Sequence, residues 1–207
     1  MVQRNLTVPH QFICFTEDSS GIDPNVNVIP LKEQTGVEGW WYKPSLFDPH
    51  NGLSGTVLYL DLDVVVFRNI DHLFEYNQGK FCIIRDFIRH QVKGWQKVNS
   101  SCFRFEVGKN ADIYTAFAKG KRIGFGDQDL IYHIIKDQDF EYWPDEWIQS
   151  YKWEMREKPQ MDRKPKGERD FVTPGDPKIN PQTAIAVFHG DPNPHNCKDQ
   201  WVIDNWR

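Results

Sequence analysis

No stretch of this sequence approaches the roughly 20 consecutive apolar residues that a bilayer-spanning helix needs. The first residues, MVQRNLTVPHQFICF, have neither the continuous apolar core nor the small-residue cleavage site of an export signal, so a cytoplasmic protein without a transmembrane segment is expected. Cysteine is scarce. Cys14, Cys82, Cys102 and Cys197 lie far apart and form no C-x-x-C pair, which argues against a disulfide framework or a zinc cage and fits buried, reduced thiols. An excess of positive charge is missing too: 25 Lys and Arg stand against 29 Asp and Glu, for a formal charge of −4. With no basic stripe interleaved with aromatics, nucleic acid is not an expected partner. The chain has no G-x-S-x-G, no G-x-x-x-x-G-K-[ST] and no internal repeat, and Gly124-Phe125-Gly126 lacks the rest of a dinucleotide fingerprint.

What is present is a globular composition: 207 residues, 39% hydrophobic and 14% aromatic, enough for one domain over 1–207 with a substantial core. Strands are expected at HQFICFT, VNVIPL, Thr56 to Leu60, FCIIR, VNSSCFRFEV (alternating) and TAIAVF. VEGWWYKPSLF has aromatics at roughly helical spacing, interrupted by Pro44, and IDHLFEY reads as a short helix with Ile70, Leu73 and Phe74 on one face. ADIYTAFAKG reads as a helix capped by Gly120, and DQDLIYHIIKDQ as an amphipathic helix with Leu130, Ile131, Ile134 and Ile135 inward. Strands alternating with helices point to an α/β sandwich. Residues 151–182, with five of the thirteen prolines and many charges of both signs, read as a long loop or flap.

The segment TVLYLDLDVVVF sets the functional question, because Asp61 and Asp63 interrupt its most apolar run. Carboxylates inside an apolar strand are costly, so they are expected just past its C-terminal end, where open α/β sheets bind ligands. Residues i and i+2 of an extended chain point the same way, so the pair can converge on one hard cation, Mn²⁺ or Mg²⁺, which would clamp phosphate oxygens. The bland alternative is a solvated turn, since D-x-D alone is common.

The motif's surroundings carry a resemblance. LYLDLDVVVFRNIDHLF resembles the core signature of nucleotide-sugar glycosyltransferases of the GT-A fold, most closely the family 8 type of glycogenin and bacterial galactosyltransferases, including its N-x-D-x-L-F element at Asn69, Asp71, Leu73 and Phe74. YKPSLFDP resembles the helix that carries a basic residue toward the donor, here Lys43. VNSSCFRF resembles the strand beside the donor sugar, here Asn99 and Ser100. GDQDLIYHII resembles the segment facing the transferring sugar, here Asp127, Gln128 and Asp129, and VFHGDPNPHN resembles the terminal element that supplies a third metal ligand, here His189, followed by Gly190 at the donor. The resemblance implies a three-layer α/β/α sandwich with a mixed, mainly parallel sheet. It also implies a metal-dependent glycosyltransferase, retaining in outcome, that moves a sugar from a nucleoside diphosphate donor to a carbohydrate or other hydroxyl acceptor.

Two departures stand out. Asn193 occupies the position of the family's late phosphate-binding lysine, and HQFICFTED resembles the family's second strand, so the first strand and most of its helix are expected to be missing. A truncated, non-catalytic nucleotide-sugar or carbohydrate binder is therefore a second reading, and a metal-dependent phosphohydrolase acting on nucleotide sugars a third. Each site residue also has a structural alternative. Lys43 can be a solvated helix lysine, Asn99 and Ser100 strand-end bonding groups, Asp127 a helix-terminal acid favoured by the dipole, and His189 a satisfied ring. The aromatics of GWWY, EYWPDEW and YKW are expected mostly to pack, with an acceptor-stacking wall as the functional alternative.

Overall fold

The computed structural model describes residues 1–31, 36–157 and 176–206. Its helices are α1 (Val2–Asn5), α2 (His72–Glu75), α3 (Ala111–Ala118), α4 (Asp127–Ile135) and α5 (Gln200–Asn205). Its strands are β1 (Ile13–Thr16), β2 (Asn27–Pro30), β3 (Thr56–Leu60), β4 (Val64–Val66), β5 (Phe81–Arg85), β6 (Val98–Glu106), β7 (Phe140–Tyr142), β8 (Ile148–Ser150) and β9 (Ile185–Val187). The aromatic segment around Pro44 is a 3₁₀ helix over Gly39–Phe47, the tight winding that tolerates an internal proline.

Three sheets result among the described residues: β1-β2, β3-β6-β5-β7 and β4-β9-β8. Period-two alternation explains how they stack. Phe81, Ile83, Phe103 and Phe105 send their side chains to one face of the four-stranded sheet, against Ile113 of α3, Ile131 and Ile135 of α4, and Leu46 and Phe47 of the 3₁₀ helix. Cys82, Ile84 and Cys102 face the other way and share a core with Val64, Val66, Ile185 and Val187 of the three-stranded sheet. Val65, Ala186 and Phe188 then cover the far side with Tyr151, Met155 and Val202.

The mixed α/β class and the mixed pairing agree with expectation, with the strands divided over three sheets. Three of the six strand pairings are parallel and three antiparallel. Pairing direction is set by where β6 and β9 insert, antiparallel to β3, β5 and β4, and a burial pattern does not encode it. Nor does β6 alternate in exposure: lying between β3 and β5 with both faces covered, it is buried almost throughout. Most of the flap expected over 151–182, residues 158–175, lies outside the described residues. Its flanks are core, since Tyr151 and Met155 are 1% exposed and Arg156 bridges to Pro177. No helix of the described residues is long and apolar enough to cross a membrane.

Candidate functional site

Asp61-Leu62-Asp63 is where the chain leaves one sheet for another. Asp61 lies just past the end of β3, and Leu62 and Asp63 form the turn that leads into β4. The turn is pinned from both sides: the Asp61 N–H donates to Ser101 O (2.9 Å), and the Phe188 N–H donates to Asp63 O (2.9 Å). One acid is thereby tied to the four-stranded sheet, and the other to the end of β9.

On the Asp61 side a buried polar network forms. Lys43 Nζ, on a side chain 7% exposed, lies 2.9 Å from Asp61 Oδ1 and 3.4 Å from Asp127 Oδ2, and donates to Ser100 Oγ at 3.1 Å. Ser100 Oγ donates to Asp127 Oδ2 (2.6 Å), and Tyr59 OH donates to Asp61 Oδ1 (2.6 Å). Burial first, and then the Asp61 charge, pushes the Tyr59 hydroxyl far above its ordinary pKa, so it remains a donor. A local irregularity makes this geometry possible. The register of β5 against β6 jumps from Ile83↔Phe103 to Ile84↔Asn99, leaving residues 100–102 of β6 with no β5 partner. That bulge releases the Ser100 and Ser101 carbonyls to accept from Lys43 and Asp61. Asn99 is held by its own turn, its Oδ1 accepting from the Ser101 N–H at 3.0 Å.

Asp127 opens α4 and is 5% exposed, so its place in the network, rather than solvent at a helix end, accounts for it. Gln128 follows it on the first turn and makes no side-chain hydrogen bond among the described residues. Asp129 turns away: its Oδ2 accepts from the Phe125 N–H (2.9 Å), and its Oδ1 lies 3.5 Å from Lys97 Nζ.

The Asp63 side is different. Its carboxylate has no hydrogen-bonding or ion-pairing side chain among the described residues, and burial, reinforced by the Asp61 charge, raises its pKa to about 6. A cation shared by the two carboxylates would reverse both penalties, so this donor set fits a hard divalent ion. His189 is placed otherwise than the sequence implied. Its Nε2 is 2.6 Å from Ser150 Oγ, and its ring lies between Phe87 (5.7 Å between centroids) and Trp153 (4.3 Å). Burial, followed by the nearby Lys152 charge, lowers its pKa to about 3, so it is neutral. No group of three His, Cys, Asp or Glu is gathered for a metal among the described residues. Gly190 has φ +76°, and a Cβ there would stand 3.3 Å from Lys152 Nζ, so the 7% exposed Lys152 crowds the backbone just after His189.

The sequence reading did not single out Tyr59, Ser150 or Lys152. Tyr59 looks like strand core, although its i, i+2 relation to Asp61 puts the two side chains on one side of the strand end. Ser150 and Lys152 belong to a strand of three residues and the turn after it, too short for a periodic signal. Of the aromatic segments weighed as an acceptor wall, Trp143 and Tyr151 are core at 1% exposure, while Trp40 is 61% exposed.

No protein-family model matches the chain, and no curated protein sequence matches it. Solved structures do. Galactosyltransferase LgtC, in complex with donor and acceptor sugar analogs, superimposes with a TM-score of 0.57 at 12% identity, over 91% of this chain and 78% of that one. An active-site mutant of LgtC gives 0.56 at 12% identity, over 91% and 76%. The glycosyltransferase GlyE of Streptococcus pneumoniae TIGR4 gives 0.54 at 15% identity, over 88% of this chain and 48% of that one. The chain therefore has the GT-A-like fold of these glycosyltransferases, in keeping with the family 8 resemblance of its motifs.

Proposed function

We propose that the protein transfers a sugar from a nucleoside diphosphate donor to a hydroxyl acceptor, with Mn²⁺ or Mg²⁺ held by Asp61 and Asp63. The observation that carries this reading is the pairing of a fully engaged carboxylate, Asp61, with one that has no side-chain partner among the described residues, Asp63, on a doubly pinned turn at the sheet edge. The fold shared with LgtC and GlyE supports it. When bound, the ion supplies positive charge against the negative charge that builds on the departing diphosphate. Lys43 fixes Asp61 and Asp127 relative to each other, and Ser100 locks the Asp127 carboxylate so that its remaining lone pairs can orient a sugar hydroxyl. Gln128, with its amide free among the described residues, is the group for the reacting face of the sugar. An LgtC active-site variant replacing a glutamine by glutamate has been crystallised, in keeping with a glutamine at that protein's site.

In the reaction the bond from the anomeric carbon to the diphosphate oxygen breaks, and its electron pair leaves with the diphosphate. A bond from the acceptor oxygen to the same carbon forms, and the hydroxyl proton passes to the departing oxygen. Passage on one face gives retention. His189 would serve as a third holder of the ion by giving up its Nε2 bond to Ser150, and Gly190 would lie beside the donor diphosphate. The four free cysteines, three of them buried, suit the reducing cytoplasm.

The test is transfer assayed over a panel of nucleoside diphosphate sugars with Mn²⁺, Mg²⁺ or chelator. Transfer that needs the metal supports the reading. Donor affinity without transfer would favour the binding-only alternative, for which the engagement of His189 with Ser150 speaks, and neither affinity nor transfer would end both.

A further inference from the structure

The end of β9 is flanked on both edges. Strand β4 runs antiparallel to it with Val64 opposite Val187, so Asp63, just before β4, stands beside Phe188 and accepts from its N–H. On the other edge β8 runs parallel, with Ser150 opposite Val187. The Tyr151 N–H donates to Val187 O (2.9 Å) and the Tyr151 ring stacks on Phe188 with 4.1 Å between centroids, which carries the chain on level with β9 and brings Lys152 alongside Gly190. Asp63 and Lys152 thus lie on opposite edges of one strand end, two strand spacings or about 10 Å apart along the backbone.

Lys152 is 7% exposed, and burying an ammonium is costly unless negative charge or dipoles face it. Gly190 turns at φ +76°, and a Cβ there would stand 3.3 Å from Lys152 Nζ, so the ammonium rests against the backbone of the turn that leaves β9. Its charge reaches His189, where it is the second cause, after burial, of the lowered pKa. The two arginines buried among the described residues are committed elsewhere: Arg104 donates to Leu73 O and Asn77 O, and Arg156 to Asp199 Oδ2 at 2.8 Å.

Charge balance at the turn calls for such a group. Asp61, Asp63 and Asp127 set three carboxylates against one ammonium, that of Lys43. A divalent ion offsets that excess and no more, so a diphosphate, anionic when bound and more so as it departs, would meet a neutral site. A buried ammonium across β9 from the ion supplies the missing positive charge, as a point charge free of any demand for planar geometry. Asn193, downstream of Gly190, cannot supply it: the side chain is neutral, and its backbone N–H is taken by Asn196 Oδ1 at 2.7 Å.

Building on the sugar-transfer reading, we infer that Lys152 binds the donor diphosphate across β9 from the ion, so that this chain draws its phosphate-facing cation from the segment after β8 and not from the terminal element where Asn193 stands. The probes are Mn²⁺ alone and inorganic pyrophosphate in the presence of Mn²⁺, which require neither base nor sugar to be known, titrated calorimetrically into the wild type and Lys152→Met. The variant is expected to bind pyrophosphate at least about tenfold more weakly, while its affinity for Mn²⁺ alone stays within about threefold of the wild type or rises, because a repelling charge has gone. A residue that merely packs would, when replaced, weaken both together or neither. Circular dichroism melts verify folding, and Lys152→Gln, which keeps a polar side chain without the charge, takes the place of Lys152→Met if the latter does not fold. Unchanged pyrophosphate affinity in the charge-free variant, or parallel loss of Mn²⁺ and pyrophosphate, would overturn the inference. Because the readout is binding alone, the two readings fail separately. Pyrophosphate binding that depends on Lys152 in a chain that transfers no sugar would sink the transfer reading and keep the inference, and metal-dependent transfer with pyrophosphate binding indifferent to Lys152 would do the reverse. A wild type that binds no pyrophosphate would end both.

Discussion

The two acids of the turn occupy unlike surroundings although only one residue separates them. Asp61 lies among Lys43, Tyr59, Ser100 and Asp127, a network whose members satisfy one another. Asp63 faces the side of β9, where the imidazole of His189 is occupied by Ser150 and enclosed by Phe87 and Trp153. One half of the site is finished without a ligand, and the other, among the described residues, holds a carboxylate with no side-chain partner. Buried polar groups are costly unless satisfied, so the unsatisfied half is where binding energy is available.

Breaking the finished half should have the largest effect. Lys43→Met leaves Asp61 and Asp127 buried with no counter-charge, so a loss of roughly 3 kcal/mol in stability and about 10²-fold in transfer is expected, read by thermal melts and kcat/KM. On the other half, His189→Ala should lower transfer about tenfold if the ring rotates onto the ion, while Ser150→Ala, which frees Nε2, should leave it within about threefold. Equal losses in the two variants would mean that the imidazole only packs.

Asp71 offers a control outside both halves. Hydrogen bonds from Asn69 and Thr7 hold its carboxyl down to about 2, so its stabilising contribution is full above the unfolded value near 3.8 and is lost as pH falls through about 2. Asp71→Asn should therefore shrink the stability lost between pH 4 and 2 without changing the metal requirement. Smallest of all, Leu62→Asn on a side chain 93% exposed should change stability by less than about 0.5 kcal/mol. A larger change would mean that the turn itself leans on Leu62.

Strand β3 was legible to the residue, because a run of apolar residues bounded by Gly55 and the aspartates leaves no other reading. α4 was legible from its stripe, and Leu130, Ile131 and Ile135 are fully buried. β4, β7 and β8 went unseen, since three residues carry no measurable period and their pairing is decided by distant partners. Asp61, Lys43, Ser100 and Asp127 were each named from the sequence, but their mutual bonding depends on the bulge at residues 100–102, a three-residue register shift with no local signature. Asp61 stands just past β3, as the sequence implied, but Leu62 and Asp63 form a turn where the chain passes to the three-stranded sheet, which the i, i+2 pattern does not encode. His189 was placed at the right strand end, but the ring's orientation is set by Ser150, 39 residues away.

The most direct measurement is Mn²⁺ binding, by electron paramagnetic resonance titration, to the wild type and to Asp63→Asn in the presence of a nucleoside diphosphate. Saturable binding in the wild type, weakened at least about tenfold in Asp63→Asn, is the predicted result. Equal affinity in the two proteins, or no saturable binding to either, would contradict the assignment of the turn as the metal and diphosphate site.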